Sequence, residues 1–301
     1  MKNFKSGFVS ILGRTNVGKS TLINSLVGEK IAITTSKPQT TRTAIKAIIN
    51  RENSQIVFID TPGIHKPKTK LGNTMNKTAW QGASDGDVIL FLIEATSDKI
   101  GKGDSLILEK LKQSKNKNVI LVINKIDLIK KEKLLELISL YNKEYNFKAV
   151  IPISALTGEN TNKILDEIEK YLPEGPAYYN IDEYTDQTER MLVEEIIREK
   201  ILKLLDQEVP HGVYVEVEKM KYRKTTKKET ICDIEAIIYV LRKTHKPIVI
   251  GKDGSMLKRI GTYARQDIEK MLATKANLKI WVKIKEDWLN SNSIIKRFEN
   301  E

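Results

Sequence analysis

The stretch Gly13-Arg-Thr-Asn-Val-Gly-Lys-Ser20 decides the fold of the first half of the chain. An apolar segment, residues 8–12, comes immediately before it, and a helical pattern, residues 21–27, follows immediately after it. G-x-x-x-x-G-K-[ST] between a strand and a helix is the phosphate-binding P-loop, whose glycines let the backbone wrap around phosphate groups. The N–H groups of the loop and of the helix start then point at the anion. The stretch therefore predicts a nucleotide site, against the alternative of a glycine-rich turn that binds nothing.

Short apolar strands alternate with amphipathic helical patterns from residue 8 to about residue 171. This alternation is typical of an α/β fold with a largely parallel sheet. Two of the strands, residues 45–50 and 55–60, are too close in sequence for a helical crossover, so we expect them to form an antiparallel hairpin. The other candidate strands are residues 8–12, 88–94, 119–124 and 149–153.

Three further motifs follow candidate strands: Asp60-Thr-Pro-Gly63, Asn124-Lys-Ile-Asp127 and Ser154-Ala155-Leu156. The ends of strands in an open α/β sheet converge on one crevice, so we expect these motifs to meet at the P-loop. Each residue alone has an ordinary alternative, such as an N-cap aspartate or a solvated lysine. Four motifs in this order favour a single nucleotide site.

The phosphate end of the site follows from known P-loop chemistry. Lys19 is expected to neutralise the β- and γ-phosphates, and the Ser20 hydroxyl to ligate Mg²⁺. Asp60 is expected to hold the metal through water, and the Gly63 N–H to meet the γ-phosphate. Ile64 and His65 follow, where many Ras-like GTPases carry a water-positioning glutamine. Ile64 cannot position water and a surface histidine is more often a bystander, so we expect slow intrinsic hydrolysis.

The base end of the site favours guanine over adenine. A carboxylate at Asp127 can accept both guanine donors, N1 and N2, and adenine has no matching donors on that edge. Asn124 and Lys125 are expected to steady the base and the P-loop, and the Ala155 N–H to meet guanine O6. The predicted nucleotide-binding residues are Gly13, Asn16, Val17, Gly18, Lys19, Ser20, Thr21, Asp60, Gly63, Asn124, Lys125, Asp127, Ser154, Ala155 and Leu156.

A break at Leu172-Pro-Glu-Gly-Pro176 ends the α/β pattern. We therefore predict a G domain at residues 1–172, a linker at 173–187 and a second domain at 188–301. The second domain has a different pattern: a helix at 188–205, a strand at 213–220, a basic turn at 221–228, a strand at 231–241, a helix at 255–271 and a strand at 278–284.

The composition indicates an anionic partner. The formal charge is +12, and residues 219–285 hold 18 Lys and Arg against 6 Asp and Glu. Nucleic acid is the first expectation and an anionic membrane surface the second. The single cysteine, Cys232, excludes a disulfide framework. With no secretory signal and no apolar run long enough to cross a bilayer, we expect a cytoplasmic protein, and its charge also suits peripheral association with the inner face of the membrane.

The G-x-x-G sequence at Gly251 to Gly254 is common by itself, and the elements around it indicate its role. The order of elements resembles that of a type II KH domain: a helix, two strands, an apolar segment, this loop, a helix and a strand. In such domains the loop clamps about four single-stranded nucleotides. The KH pattern makes residues 247–250 a short helix, although their propensity favours a strand. Trp281 and Trp288 are expected to pack in the core. The predicted RNA-binding residues are Gly251, Lys252, Asp253, Gly254, Lys258 and Arg259.

These motifs, together with Pro38-Gln-Thr-Thr-Arg42 and Pro210-His-Gly-Val-Tyr-Val215, resemble the Era family of bacterial ribosome-assembly GTPases, in the TrmE-Era class, over nearly the whole chain. The resemblance implies a P-loop G domain with a mixed, mostly parallel sheet, followed by a smaller α+β type II KH domain. It implies a GTP-hydrolysing switch with GTP/GDP and Mg²⁺. It also implies that the chain binds the 3′ end of 16S ribosomal RNA on the 30S subunit, with no stable protein partner.

The resemblance also assigns catalytic residues. Thr41, with Thr40 as the nearby alternative, closes on Mg²⁺ and γ-phosphate, and Asn16 holds a K⁺ ion in several members of the class. The implied catalytic residues are Lys19, Thr41, Asn16 and Gly63, and the implied metal ligands are Ser20, Thr41 and Asp60. The alternative reading is a P-loop GTPase whose basic second domain binds a protein partner or an anionic membrane surface instead of RNA.

Overall fold

The computed structural model describes residues 3–35, 37, 42, 45–60, 63, 69–114, 118–226, 228–292 and 294–295. The described chain divides into two compact units. The first is built from residues within Met1–Ala32 and Pro38–Asp186, and the second from Gln187–Arg297 together with Ile33–Lys37. None of the described helices is both long and apolar enough to cross a membrane.

The first unit contains a six-stranded sheet in the order β2-β3-β1-β4-β5-β6. Among the described strands of this sheet, only β2 and β3 are antiparallel, which confirms the predicted hairpin, and the other pairs are parallel. The strands are β1 (Lys5–Leu12), β2 (Ile45–Arg51), β3 (Ser54–Asp60), β4 (Val88–Glu94), β5 (Val119–Asn124) and β6 (Ala149–Pro152).

Helices cover both faces of this sheet, because its central strands are apolar on both sides. Along β4, Leu90 and Leu92 belong to one buried cluster, whereas Phe91 and Ile93 belong to the other. The helices are α1 (Lys19–Val27), α2 (Lys70–Asp85), α3 (Lys102–Gln113), α4 (Lys131–Glu144) and α5 (Thr161–Ile168). This arrangement brings the loops after β1, β3, β5 and β6 to one end of the sheet.

Residues 173–186, most of the predicted linker, belong to the first unit and run along its sheet. The Gln55 side chain accepts from the backbone of Tyr178 and donates to the carbonyl of Tyr179. The Ile48 amide on β2, the outermost strand, donates to the Tyr184 carbonyl at 3.0 Å. The chain therefore covers this edge of the sheet before it enters the second unit, while the domain limits drawn from the sequence stay predictions.

The second unit is a three-stranded sheet, order β7-β8-β9, with helices packed on one face. Strands β7 and β8 are antiparallel, and β8 and β9 are parallel. The buried core combines side chains from α6, α8 and alternate positions of the three strands. The elements are α6 (Glu189–Leu204), β7 (Val213–Lys224), β8 (Thr230–Val240), α7 (His245–Ile250), α8 (Ser255–Met271) and β9 (Lys275–Ile284).

The second unit confirms some details of the sequence analysis and corrects others. The short helix predicted at 247–250 is present as α7, and Trp288 is buried as expected. The predicted start of the basic turn is wrong, because β7 continues past a bulge between Val217 and Lys219 and stays paired with β8 as far as Lys224.

The prediction for Trp281 is wrong, since 44% of its surface is exposed. Successive side chains of a strand point to opposite faces. In β9, Ala276 and Val282 are buried in the core, so Trp281 lies on the other face.

Candidate nucleotide-binding site

The P-loop glycines are required by close contacts. A Cβ atom at Gly13 would lie 2.5 Å from the Leu92 carbonyl oxygen, and one at Gly18 would lie 2.2 Å from Asn124 Nδ2. Gly18 also has φ +101°, a left-handed conformation that side chains disfavour. Asn16 is left-handed as well, with φ 66°. The backbone therefore turns tightly from β1 into α1, and Thr21 lies in the first turn of that helix.

Lys19 is the first residue of α1, and its side chain reaches back to the start of the loop. Its ammonium group donates to the backbone carbonyls of Gly13 and Arg14 at 3.2 and 2.9 Å. Burial lowers the pKa of Lys19 to about 8, although the nearby carboxylate of Asp60 opposes the shift. A buried cation of this kind is stabilised by an anionic ligand, as a triphosphate would provide.

Ser20 and Asp60 form the predicted metal site. The Ser20 hydroxyl lies 3.1 Å from Asp60 Oδ2, which places a hydroxyl and a carboxylate side by side at the ends of two structural elements. Hard oxygen ligands of this kind suit Mg²⁺, which usually takes few protein ligands and completes its shell with phosphate and water. The residues present therefore fit the metal.

Gly63 reaches the P-loop from the neighbouring strand. A Cβ atom there would lie 2.8 Å from Thr15 Cγ2 and 2.9 Å from Thr15 Cα. The structure thus brings the end of Asp60-Thr-Pro-Gly63 against the phosphate loop. Thr41, Thr40, Ile64 and His65 lie outside the described residues, so their roles stay predictions.

Asn124 joins three loops of the site. Its side chain is buried at the end of β5, where Nδ2 donates to the Val17 carbonyl at 2.8 Å. Its Oδ1 accepts from the backbone N–H groups of Lys125 and Ala155 at 2.8 and 2.9 Å. Asn124 therefore fixes the P-loop, its own loop and the Ser154-Ala155-Leu156 loop to one another. Because the Ala155 N–H donates to Asn124 here, its bond to guanine O6 stays a prediction.

The remaining base-end residues surround this junction. Lys125 is left-handed, with φ 68°, and its side chain forms an ion pair with Glu94 at 2.7 Å. Asp127 lies in a single 3-10 turn and is exposed, so its carboxylate is accessible to a ligand. Ser154 is buried and accepts from the Thr157 N–H, whereas Leu156 is exposed.

Sequence reasoning missed the residues that anchor the P-loop from the side. Arg14 donates to the fully buried carboxylate of Asp104 at 3.0 Å and lies 3.6 Å from Glu94. Tyr141 also donates to Asp104, at 3.1 Å. Burial raises the pKa of Asp104, and Arg14 opposes that shift. No local pattern marks Asp104, since 90 residues separate it from Arg14.

The second unit carries the predicted G-x-x-G loop between α7 and α8. Gly251 and Gly254 both have positive φ, +73° and +76°, and a Cβ atom at Gly251 would lie 2.7 Å from the Met256 backbone nitrogen. Asp253 is left-handed and exposed, and Lys252 is also exposed. The loop is therefore a tight, solvent-facing turn at the start of α8.

A groove of about 670 Å³ runs from this loop between α8 and the edge strand β9. Apolar side chains such as Leu257 and Ile280 line it. Lys258 lines it too, whereas Arg259 is exposed but not among the described residues of the lining. Two further cations, Arg223 and Arg265, line the groove, and the sequence pattern alone does not mark either of them.

Comparison with known proteins agrees with this architecture. Residues 8–125 match the family described as 50S ribosome-binding GTPase, and residues 208–289 match the KH domain family. GTPase Era of Clostridioides difficile (strain 630) is 53% identical over 296 residues, 98% of each chain. The chain belongs to the Era family. GTPase Era of Alkaliphilus metalliredigens (strain QYMF) is 52% identical over 294 residues, again 98% of each chain.

Solved structures of Era share the whole fold. Era in complex with MgGDPNP and nucleotides 1506-1542 of 16S ribosomal RNA matches with a TM-score of 0.93 at 40% identity, over 98% of each chain. A variant of Aquifex aeolicus Era bound to GDP.AlF4- matches with a TM-score of 0.92 at 39% identity, over 98% of this chain and 99% of that one. The family and the fold class predicted from the sequence are both confirmed.

Proposed function

We propose that the chain is a GTP-hydrolysing switch that binds single-stranded RNA at the 3′ end of 16S ribosomal RNA during assembly of the 30S subunit. One observation carries the proposal: a nucleotide site tied together by Asn124 and a cation-lined G-x-x-G groove occur in the same chain. The Era structure with MgGDPNP and a 16S rRNA segment supports it, because that relative holds both ligand classes at once.

The residues of the first unit have distinct tasks in hydrolysis. Lys19 and the amides at the start of α1 bind and orient the β- and γ-phosphates. Ser20 and Asp60 would hold Mg²⁺, which supplies positive charge to the phosphates when bound. The Gly63 amide, set against Thr15, approaches the γ-phosphate from the other side. Water attacks the γ-phosphorus, and the bond to the GDP oxygen breaks.

Hydrolysis is expected to be slow without a stimulus and to depend on potassium. The left-handed turn at Asn16 exposes this residue at the phosphate loop, where a K⁺ ion would supply charge that other GTPases take from an arginine. Steady-state phosphate release in K⁺ and in Na⁺ buffers tests the proposal. Equal rates in the two buffers would contradict the role of Asn16, and the absence of any turnover would contradict hydrolysis itself.

Two lysines of α8 give a matched test of RNA binding. Lys258 lines the groove, whereas Lys270 is exposed on the same helix away from the groove. Lys258→Glu and Lys270→Glu change the net charge equally. We expect Lys258→Glu alone to weaken binding of a single-stranded RNA and to reduce the dependence of log Kd on log salt by about one unit, measured by fluorescence anisotropy.

The same two variants separate RNA binding from the alternative partners. We propose a cytoplasmic location, with the net charge drawing the chain to the inner face of anionic membranes as a secondary property. Both substitutions should therefore reduce the fraction of protein that floats with anionic vesicles to the same extent. If Lys258→Glu impaired vesicle or protein binding and left RNA affinity unchanged, the second domain would not be an RNA-binding domain.

A further inference from the structure

The three-stranded sheet of the second unit has an outer face, on the side opposite its helices. The register places Trp281 beside Ile237 on β8, and Ile237 beside Glu216 on β7. Ile237 is 1% exposed, whereas Trp281 is 44% exposed. The next row of this face is Lys283, Tyr239 and Tyr214, in which Tyr214 is buried beneath Trp288. Trp281 is therefore the one exposed apolar side chain of these two rows, among their described residues, and it lies at the edge of a covered surface.

The outer face is rich in cations, and Lys279 and Lys283 lie next to Trp281 on this face along β9. Its five cross-strand rows contain six cations against three acids. Two of the three acids form ion pairs, Glu235 with Lys219 at 3.4 Å and Asp233 with Arg223 at 2.5 Å. The third acid is Glu216. The excess of cations remains when Glu218 at the bulge, 3.9 Å from Lys283, is counted. The six cations are Lys219, Lys221, Arg223, Lys275, Lys279 and Lys283, of which Arg223 also lines the G-x-x-G groove.

The position of Trp281 connects this face to the G-x-x-G groove. Ile280 lines the groove, and Trp281, the next residue, points to the opposite side of the same strand. Because β9 is an edge strand of the described sheet, no other strand in the described part of the chain separates the two surfaces. A chain that leaves the groove across the edge of β9 reaches Trp281 directly.

We propose that Trp281 stacks an unpaired base of the same RNA, just beyond the nucleotides held in the groove, while the surrounding lysines contact its phosphates. The inference rests on the proposed RNA-binding function and extends it to a second surface. One exposed ring among cations suits a nucleotide, since every base has a face to stack and each link carries a negative charge. A protein interface or a membrane would require a larger apolar cluster, and Ile237 and Tyr214 are covered.

RNAs of two lengths test the proposal on the full chain. One RNA of four nucleotides fills the groove alone, and one of about ten nucleotides, extended at both ends, also reaches the outer face. The variants are Trp281→Ala, Trp281→Phe, which keeps an aromatic ring, and Ile284→Ala, a control on the same strand whose side chain is exposed on the helix side. Dissociation constants are measured by fluorescence anisotropy at fixed salt.

We expect Trp281→Ala to weaken binding of the longer RNA by about tenfold, the usual loss for one stacked base, and to leave the four-nucleotide RNA unaffected. Trp281→Phe should restore most of the affinity, and Ile284→Ala should change neither RNA. Wild-type affinity of Trp281→Ala for the longer RNA would overturn the proposal. An equal loss of affinity for both RNAs would also overturn it, because the effect would then lie in the groove. A loss of 30S binding with RNA affinity intact would overturn it as well and would indicate a protein partner. Failure of the unsubstituted chain to bind either RNA would refute the proposed function instead.

Discussion

Substitution of Asn124 by alanine removes three hydrogen bonds at the junction of the nucleotide loops. The side chain donates to the Val17 carbonyl and accepts from the N–H groups of Lys125 and Ala155, all within 2.9 Å. Each bond contributes about 1 kcal/mol net, and a buried carbonyl or amide left without a partner costs about 1–3 kcal/mol more. We therefore expect Asn124→Ala to lower the free energy of unfolding by at least about 3 kcal/mol.

The same strand supplies a matched control. Asn118 precedes β5 at its other end, where its amide donates to the Asp87 carbonyl at 3.2 Å. Asn118→Ala should cost about 1 kcal/mol and leave nucleotide binding unchanged. Asn124→Asp is more specific, since it keeps both acceptor contacts but places a carboxylate oxygen against the Val17 carbonyl. It should detach the P-loop while the contact to Ala155 persists.

Two measurements decide the outcome. Titration with a fluorescent GTP analogue should show that Asn124→Ala weakens binding by about tenfold or more. A displaced P-loop that loses about 1.4 kcal/mol of binding free energy raises the Kd by a factor of ten. Urea denaturation followed by circular dichroism gives the loss of stability. The reasoning is refuted if Asn124→Ala binds GTP within about twofold of the unsubstituted chain. It is refuted equally if that variant is no less stable than Asn118→Ala.

Three further predictions concern the same unit. Gly18→Ala should reduce GTP binding severely, because the new methyl group would lie 2.2 Å from Asn124 Nδ2 at a φ of +101°; calorimetric titration checks this, and near-normal affinity would show that the loop can move. GTP affinity should fall as the pH rises above about 8, because Lys19 then loses its proton in the free protein and must regain it on binding the triphosphate. Calorimetry near pH 9 in two buffers of different ionisation enthalpy should detect uptake of about one proton, and an affinity independent of pH would argue against it. Asp104→Asn should lower the free energy of unfolding by about 1–3 kcal/mol, because it weakens the contact of Arg14 with a fully buried carboxylate; the exposed Asp98→Asn should cost almost nothing in the same urea experiment.

Much of the fold could be predicted because its signals are local. The limits of β4 and β5 agree with the apolar runs, since strands buried on both faces are bounded sharply by polar residues. The hairpin of β2 and β3 followed from the length of its connection alone. The nucleotide loops could be placed together because strand ends of such a sheet converge.

The missed contacts depend on tertiary structure. Nothing near Asp104 in the sequence indicates that it pairs with Arg14, and nothing around Asn124 indicates which carbonyl and amides it will contact. The error at Trp281 was avoidable, because its position in β9 alternates with the apolar residues Leu278, Ile280 and Val282. This alternation puts Trp281 on the same face as Lys279 and Lys283, which predicts exposure rather than core packing.

The segment at residues 173–186 has a practical consequence for anyone who shortens this chain. Its bond from the Ile48 amide to Tyr184 occupies hydrogen-bonding positions along the outermost strand of the sheet. A truncation after residue 172, at the limit that the sequence suggests, would leave the hydrogen-bonding groups of that strand exposed. Strands of neighbouring molecules could then pair with it and cause aggregation. A truncation after residue 186 would retain the natural cover and favour a monodisperse sample.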